Sequence, residues 1–491
     1  MNAVPSPTST TIAPARSCAF AVLRRVFERG AYADHALQAE ARQLDARDRA
    51  LAMRLAYGAV QRSGTLDHII AQLAERPAAR LDAPVLAALR LGLYELLYLA
   101  GSPDYAVVAD AVELAKAHGR AGHGLVNAVL RRAAREGPDA LLGALTDATP
   151  EQAAVKHSHP EWIARLWFAE LGAAGARQLM SRDNEPAEVS LRANTLVMDA
   201  PTLAAKLLAG ESATAVQAGA PHERIQRRRA PAVRTHFDPE IPEALVLEDP
   251  FDAHGSPLWQ AGAFVAQSRA AMLVARALHP QAGERVLDLC AAPGGKTTHL
   301  AALMDGCGEV VAIERNRRRA GELARTAQRL RAGNVRVEVG DAALRRGRGR
   351  SFDRVLVDPP CSGLGTLQAR ADLRWRVTPA AVGEMARSQS AILAAGAGAL
   401  RPGGVLVYST CTISPTENEH VIATFLDSHA DFSLDDLAAE LPAFALSAPV
   451  ASVDHRSGAA PPRASSAAGL VLTLPHRDRT AGFFIARLRR S

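Results

Sequence analysis

Two cysteines of the 491-residue sequence stand in short polar segments that directly follow apolar runs. The first segment reads Asp358-Pro359-Pro360-Cys361-Ser362-Gly363, and the second reads Ser409-Thr410-Cys411-Thr412. Methylation of an exocyclic amine needs no thiol, and enzymes of that kind commonly place an aromatic residue where Cys361 stands here. Carbon 5 of a pyrimidine is a different target, because it becomes nucleophilic only after a thiolate has added to carbon 6.

Such an addition requires a thiolate, a carboxyl group, a methyl donor and a base taken out of its stack. A carboxyl group bonded to the pyrimidine N3 would help to spread the charge that develops during the addition. Cys411 and Asp358 are the candidates for the thiolate and the acid, and Cys361 provides a second thiol.

A glycine-rich loop upstream is the candidate binding site for the methyl donor. Val286 to Thr298 has the pattern of a strand, a glycine turn and a helix start, and its loop is Cys290-Ala291-Ala292-Pro293-Gly294-Gly295-Lys296. A phosphate-binding loop would require glycine at position 290, and the dinucleotide pattern GxGxxG is absent. S-adenosylmethionine remains as the candidate cofactor, because it has no pyrophosphate and needs only a short turn for its amino-acid end.

Two further carboxylates follow the next two predicted strands. Glu314 ends the second strand, where an acid can hold the ribose hydroxyls of the cofactor, and Asp341 follows the third strand, where it can meet the adenine. In open α/β sheets, ligands bind at the carboxyl ends of the strands. The joint placement of the loop and these two acids on successive strand ends favours a cofactor site over isolated surface carboxylates.

The elements that must position these residues are strands alternating with helices from about Gly262 onward, which predicts a doubly wound parallel sheet. The predicted strands are Glu284–Leu289, Glu309–Ile313, Asn334–Val339, Asp353–Val357 and Gly404–Tyr408, followed by a possible antiparallel pair, Leu470–Leu474 and Gly482–Leu488. In this order the fourth and fifth strands are neighbours. We therefore expect Cys361 and Cys411 to face one cleft beside the cofactor.

The region upstream divides into further parts. We predict a disordered tail over residues 1–14, a helical domain over 15–145, a small α/β module over 151–245 and a catalytic domain over 246–491, with a flexible insertion at 447–468. Glycines at the ends of the helical stretches are interpreted as helix stops, and they are Gly30, Gly58, Gly101, Gly119 and Gly137. Two arginine groups, Arg227–Arg229 and Arg131 with Arg132 and Arg135, are either phosphate contacts or solvated surface.

The composition excludes a mainly disordered chain, since 48% of the residues are hydrophobic and 22% are charged. The net charge of +6 fits an anionic partner only weakly. Five cysteines without a CxxC pair predict a reducing, cytoplasmic compartment, with Cys18 and Cys307 as small buried hydrophobes. We expect no membrane span, no secretory signal and no metal site.

At Cys290–Lys296, Asp358–Gly363 and Ser409–Glu419 the chain resembles the RNA (cytosine-5) methyltransferases of the Sun type. The resemblance implies that Cys411 is the nucleophile, that Cys361 assists breakdown of the covalent adduct, and that Asp358 contacts both base and cofactor. It also implies that Cys290 to Lys296, Glu314 and Asp341 hold S-adenosylmethionine. After Thr366 the family often has an Arg-Arg-x-Pro-Asp run, whereas this chain has Leu367-Gln368-Ala369-Arg370-Ala371-Asp372.

The resemblance extends upstream, since the helical region is similar to the NusB-like RNA-binding fold and residues 151–245 are similar to a small RNA-recognition-like module. This combination resembles the bacterial Sun/RsmB subgroup and implies 16S ribosomal RNA as the partner, before the small subunit is fully assembled. Two alternatives stay open: the same chemistry on transfer RNA, and a non-enzymatic RNA-binding assembly factor with a vestigial catalytic domain.

Overall fold

The computed structural model describes residues 12–119, 121–211, 232–344, 351–445 and 469–491. These residues form two compact units. The first unit contains the described residues up to Pro186 together with Leu367–Val377. The second unit contains the described residues of Ala187–Thr366 and those from Thr378 onward. Within the described ranges, every helix is too short or too polar to cross a bilayer.

The first unit is helical, as the sequence predicts. Its helices are α1 (Pro14–Arg29), α2 (Ala33–Glu40), α3 (Ala46–Gln61), α4 (Ser63–Ala74), α5 (Ala83–Tyr98), α6 (Asp104–His118), α7 (His123–Gly143), α8 (Pro150–His157) and α9 (Glu161–Arg182). The core is built from the apolar faces of α1 to α7. Thr149 begins α8 with a capping box, in which Thr149 and Gln152 satisfy each other's backbone N–H groups.

The glycines of this unit do not all act as predicted. Gly30 ends α1 in the left-handed conformation, with φ of 64°, and so is a helix stop. Gly58 was wrongly predicted as a stop, because it lies inside α3 against the ring of Tyr94. A Cβ at Gly58 would lie 1.9 Å from the Tyr94 Cζ atom, so this glycine provides space for the ring instead of ending the helix.

Leu367–Val377, which follows the first cysteine segment in the chain, is part of the helical unit. Ala371 is buried in the helical core and the Trp375 ring packs against that core. Trp375 Nε1 donates a hydrogen bond to the Val60 carbonyl at 2.8 Å. The segment in which this sequence departs from the family pattern therefore serves to complete the helical core.

The second unit begins with a small antiparallel sheet. Its elements are β1 (Ser190–Ala193), α10 (Ala200–Leu208), β2 (Thr235–Phe237), β3 (Ala244–Leu247), α11 (Pro257–Gln260) and β4 (Phe264–Ala266). The strand order is β2-β3-β1-β4, with Leu191 opposite both Leu245 and Ala266. Arg227–Arg229 and the predicted insertion at 447–468 lie outside the described residues, and the division of the chain into domains at 145 and 245 stays a prediction.

A large mixed sheet forms the rest of the unit. Its elements are α12 (Arg269–Leu278), β5 (Arg285–Leu289), α13 (Gly295–Leu303), β6 (Glu309–Glu314), α14 (Arg317–Arg329), β7 (Val335–Val339), β8 (Phe352–Val357), α15 (Pro379–Ala399), β9 (Leu400–Thr410), α16 (Glu419–Ser428), β10 (Phe432–Leu434), α17 (Leu437–Glu440), β11 (Leu470–Leu472), α18 (Pro475–Asp478) and β12 (Phe484–Arg490). The strand order is β10-β12-β9-β8-β5-β6-β7, and β11 also pairs with β12.

This topology confirms the predicted fold class. Strands β9, β8, β5, β6 and β7 run parallel, while β12 is antiparallel to β9, β10 and β11. The carboxyl ends of the five parallel strands therefore meet at one edge of the sheet. Because β8 and β9 are neighbours, the segments that contain Cys361 and Cys411 leave the sheet side by side.

Candidate active site

The loop between β5 and α13 is a tight backbone turn. Cys290 has φ of 66° and Gly294 has φ of 106°, both in the left-handed region. A Cβ at Gly294 would lie 2.5 Å from Leu323 Cδ1, so only glycine fits there. The Ala291 N–H donates to the Ile313 carbonyl at 2.9 Å, which ties the loop to the end of β6.

The loop also leaves room for a ligand at the N-terminus of α13. A Cβ at Gly295 would meet nothing closer than the Gln267 side chain, at 3.7 Å. The first N–H groups of a helix have no partner within the helix and favour a negatively charged group. The turn therefore fits the amino-acid end of S-adenosylmethionine, whose carboxylate is such a group.

Glu314 and Asp341 lie at the carboxyl ends of β6 and β7. Glu314 is buried, and its Oε1 accepts a hydrogen bond from the Asn316 N–H at 2.8 Å. The carboxylate of Asp341 accepts from the Ala343 N–H at 3.0 Å. These contacts fix the two carboxylates on the same edge of the sheet as Gly295. Their oxygens are hydrogen-bond acceptors and so fit the hydroxyl and amine groups of an adenosine, which donate.

Asp288, on β5, is a buried acid next to the loop and was not among the predicted site residues. Thr297 Oγ1 donates a hydrogen bond to Asp288 Oδ2 at 2.6 Å, which joins β5 to α13. Burial raises the pKa of Asp288 to about 7, and the neighbouring Asp358 charge acts in the same direction. Burial likewise raises the pKa of Cys290 to about 12, so this thiol is protonated at neutral pH.

Asp358 lies between a cation and a hydroxyl group. Lys296 Nζ is 2.7 Å from Asp358 Oδ2, and Ser409 Oγ donates to Asp358 Oδ1 at 2.9 Å. Lys296 Nζ also lies 4.9 Å from the centroid of the Phe483 ring. Both oxygens of Asp358 are thereby held, one by the cofactor loop and one by the end of β9.

The two cysteines are in contact. Cys361 Sγ lies 3.2 Å from Cys411 Sγ, which is a thiol contact and not a disulfide. The hydrogen bond with Cys411 is the main reason why the pKa of Cys361 is raised well above its usual value, with burial and the charges of Cys411, Glu417 and Asp358 adding to it. The Cys361 thiol therefore keeps its proton at neutral pH.

The structure brings together Cys361, Cys411, Asp358 and Lys296, as the strand order predicts, and places Glu314 and Asp341 farther along the same edge. Ala291 and Ala292 are buried in the loop and Pro293 is exposed. Outside the site, Cys18 is buried as predicted, with burial raising its pKa to about 11. The prediction that Cys307 is buried is wrong, because Cys307 is exposed in the turn before β6.

The sequence analysis missed several polar residues that support the cysteines. Ser409, two positions before Cys411, had no predicted role, yet its hydroxyl group donates a hydrogen bond to Asp358. Glu417 and Asn418 belong to the motif Ser409–Glu419 without a predicted role, and both are fully buried. A signal was present, since polar residues in or soon after a buried apolar strand are expected to have hydrogen-bond partners.

A parallel sheet with a glycine turn after its first strand and carboxylates after the next two strands defines a Rossmann-like methyltransferase domain. Residues 275–489 match the family model described as "16S rRNA methyltransferase RsmB/F". Residues 13–135 match the model of the NusB family. The two matches correspond to the catalytic sheet and to the helical unit.

Relatives match along nearly the whole chain. The probable ribosomal RNA small subunit methyltransferase B of Synechocystis sp. is 34% identical over 97% of this chain and 99% of its own length. The protein of the same description from Bacillus subtilis is 31% identical, over 97% and 98%. The crystal structure of PH0851, 24% identical with a TM-score of 0.74, covers 98% of this chain and 100% of that chain, and it shares the fold. The chain therefore belongs to the RsmB/F methyltransferase family.

Proposed function

We propose that this protein methylates carbon 5 of a cytosine in 16S ribosomal RNA, through a covalent bond between Cys411 and carbon 6 of the base. The observation that carries the proposal is the contact of Cys361 and Cys411 beside Asp358, at the edge of the sheet that bears the cofactor loop. An exocyclic amine would not require two thiols at this position, whereas carbon 5 of a pyrimidine requires one to activate it.

In the first step Cys411, as the thiolate, attacks carbon 6 of the unstacked cytosine. A bond forms between Cys411 Sγ and carbon 6, and the electron pair of the C5=C6 double bond makes carbon 5 nucleophilic. Asp358 is held by Lys296 and Ser409, so its carboxyl group has a fixed place at the base. A protonated Asp358 carboxyl group that donates to N3 would stabilise the negative charge that spreads over the base.

Cys290 to Lys296, Glu314 and Asp341 would hold S-adenosylmethionine, with Asp358 at the boundary between cofactor and base. When bound, S-adenosylmethionine supplies the methyl group that carbon 5 receives. The residues of the chain contribute the turn at Gly294, the open space at Gly295 and the carboxylate at Glu314.

In the last step a water molecule takes the proton from carbon 5, the C5=C6 double bond re-forms, and Cys411 leaves carbon 6 as the thiolate. Cys361 is protonated and lies 3.2 Å from the departing sulfur, so it can donate a hydrogen bond to that thiolate. This contact favours breakdown of the adduct. The proposal thus gives Cys411 and Cys361 different roles on the basis of protonation and position.

The choice of RNA rests on the relatives of similar length, which are described as ribosomal RNA small subunit methyltransferases, and on the match of residues 13–135 to the NusB family. We expect the protein to act on free 16S RNA in preference to the assembled small subunit. Arg131 and Arg135 are exposed on α7 and are candidates for phosphate contacts.

The test uses the full-length protein, methyl-labelled S-adenosylmethionine and three substrates: a 16S RNA transcript, assembled small subunits and a transfer RNA transcript. We expect 5-methylcytosine in the 16S transcript, none with Cys411→Ala, and a covalent RNA adduct on denaturing gels with Cys361→Ser. Full activity of Cys411→Ala would contradict the mechanism. Preferential labelling of transfer RNA would contradict the substrate, and RNA binding without any cofactor binding would contradict the enzymatic function.

A further inference from the structure

Glu417 has an environment that the proposed reaction does not by itself explain. Its side chain is completely buried. Glu417 lies in the loop that follows Cys411, two positions before α16 begins. Oε1 accepts a hydrogen bond from the Ser362 backbone N–H at 2.8 Å and another from Gln389 Nε2 at 2.9 Å. Oε2 accepts a hydrogen bond from Ser362 Oγ.

This carboxylate thus holds the residue next to Cys361 at two points, the backbone and the side chain. All three donors are neutral, and within the described part of the chain no cationic side chain pairs with Glu417. Burying a charged group is unfavourable unless hydrogen bonds compensate it. Three hydrogen bonds compensate the burial of the Glu417 carboxylate. We therefore infer that the position of Ser362, which this carboxylate fixes, matters for the site.

The same network joins the two cysteine segments. Ser362 Oγ lies 2.8 Å from Thr412 Oγ1, so the residues that follow Cys361 and Cys411 are bonded to each other. Gln389, on α15, donates to both Glu417 and the Pro360 carbonyl, at 2.9 and 3.0 Å. The Tyr408 hydroxyl donates to the Glu417 carbonyl at 2.6 Å. Glu417 is therefore fixed from β9 and α15 while it holds the Cys361 segment.

Asn418, the next residue, holds the other cysteine. Its Oδ1 accepts from Thr410 Oγ1 at 2.6 Å, and its Nδ2 donates to the Thr412 carbonyl at 3.0 Å. These two partners directly flank Cys411. Two consecutive buried residues thus serve different segments, Glu417 that of Cys361 and Asn418 that of Cys411.

We propose that Glu417 is a positioning residue that keeps Cys361 in contact with Cys411, and that breakdown of the RNA adduct depends on it more than adduct formation does. The inference rests on the proposed function, since it assumes a covalent adduct. A displacement of about 1 Å at a reacting group can reduce the rate about 100-fold. Loss of Glu417 is expected to act on the step that needs Cys361, and loss of Asn418 on the step that needs Cys411.

The experiment compares full-length wild type, Cys361→Ser, Glu417→Ala, Glu417→Gln and Asn418→Ala with 16S transcript and labelled S-adenosylmethionine. Denaturing gels measure the adduct, and multiple-turnover assays measure kcat and KM separately. We expect Glu417→Ala to accumulate adduct as Cys361→Ser does, with kcat about 10- to 100-fold lower and KM for the cofactor little changed. Asn418→Ala is expected to form less adduct than wild type.

Glu417→Gln distinguishes positioning from a purely electrostatic role. Its amide oxygen can still accept from the Ser362 N–H, and its amide nitrogen can donate to Ser362 Oγ. We therefore expect kcat to return to near the wild-type value. Glu417→Gln with the same defect as Glu417→Ala would overturn the positioning role.

Ser362→Ala covers the case in which Glu417→Ala does not fold, because it deletes only one oxygen atom from the same contact. Adduct is expected to accumulate to a level between wild type and Cys361→Ser. Wild-type turnover by Ser362→Ala, or by a folded Glu417→Ala, would overturn the inference while leaving the proposed function intact. Absence of adduct in Cys361→Ser itself would instead count against the proposed function.

Discussion

Lys296 and Asp358 form an ion pair of 2.7 Å that joins the cofactor loop to the segment after β8. Burial alone would lower the pKa of Lys296, but the Asp358 carboxylate outweighs it and raises that pKa. Lys296 therefore keeps its charge throughout the neutral range. Lys296 is one of only four lysines in a sequence with 57 Lys and Arg residues, which is consistent with a specific role at this position.

Lys296→Met should reduce methyl transfer strongly while leaving the protein folded. Asp358 would lose one of its two hydrogen bonds within the described ranges and keep that from Ser409, and losing a hydrogen bond to a charged group costs about 1.5–3 kcal/mol. Lys206→Met is the matched control, because Lys206 also pairs at 2.7 Å, with Glu211, but on the exposed surface. Exposed ion pairs of this kind contribute at most about 1 kcal/mol to the stability of the folded protein. Equal activity of the two variants would contradict the prediction.

Asp288 should make the stability of the catalytic unit fall as the pH rises. Its pKa is about 7 in the folded protein and near 4 in an unfolded chain, so the native state retains a proton that the unfolded state loses. Each pH unit between about 4 and 7 then destabilises the native state by up to about 1.4 kcal/mol. Asp288→Asn should remove this dependence, so that the variant gains stability over wild type between pH 5 and pH 8.

Urea unfolding of both proteins at a series of pH values measures this difference. Asp288→Asn can still accept the hydrogen bond from Thr297, so the comparison changes the titrating group and keeps the contact. Parallel stability curves for the two proteins would show that Asp288 titrates normally.

Gly365→Ala should destabilise the catalytic unit and impair adduct formation. A Cβ at Gly365 would lie 2.0 Å from the Gly482 carbonyl oxygen, so the backbone would have to move, at a cost of about 1–3 kcal/mol. The Gly365 N–H also donates to the Cys411 carbonyl at 3.0 Å, and this contact would be disturbed.

Gly383→Ala is the control for that substitution. Gly383 lies inside α15, and an added Cβ would meet nothing closer than 3.9 Å, so alanine should stabilise the helix by up to about 1 kcal/mol. Thermal unfolding and the adduct gel should therefore separate the two variants. A loss of stability by Gly383→Ala that matches Gly365→Ala would refute the steric explanation.

Arg374→Met should destabilise the helical unit by about 1–3 kcal/mol for each buried oxygen that loses its donor. Arg374 is fully buried and donates to the Ser158 carbonyl, Asn184 Oδ1 and the Asp183 carbonyl, at 2.9 to 3.1 Å. Arg370→Met, in the same segment but exposed, should change stability by less than about 0.5 kcal/mol. Urea unfolding measures both. A small effect of Arg374→Met would mean that the segment contributes little to the core.

The sequence predicted the catalytic sheet well, because buried parallel strands are apolar runs that stand out between helices. Predicted Glu309–Ile313 is observed as Glu309–Glu314, and Asp353–Val357 as Phe352–Val357. The meeting of Cys361 and Cys411 followed from the strand order alone. Strand β9 was predicted too short, since its first residues, Leu400 to Gly403, include a proline and a glycine.

Other features depend on contacts between residues far apart in the sequence. The burial of Arg374 and Trp375 follows from packing against helices about 190 to 315 positions away, and no local pattern signals it. The role of Gly58 depends on the ring of Tyr94, and that of Glu417 depends on where Ser362 lies. Residue type indicates which groups need partners, but only the fold identifies those partners.

Leu367–Val377 belongs to the helical unit, so a cut in the chain after Pro186 separates that unit from part of its own core. A fragment that stops at Pro186 would lack the Trp375 ring beside Gly64 and the Arg374 guanidinium that binds three backbone and side-chain oxygens. We therefore expect the residues up to Pro186 to be less stable alone than together with this segment. A chimera that exchanges these residues between relatives should carry the eleven-residue segment with it, although that segment is encoded between the two cysteines.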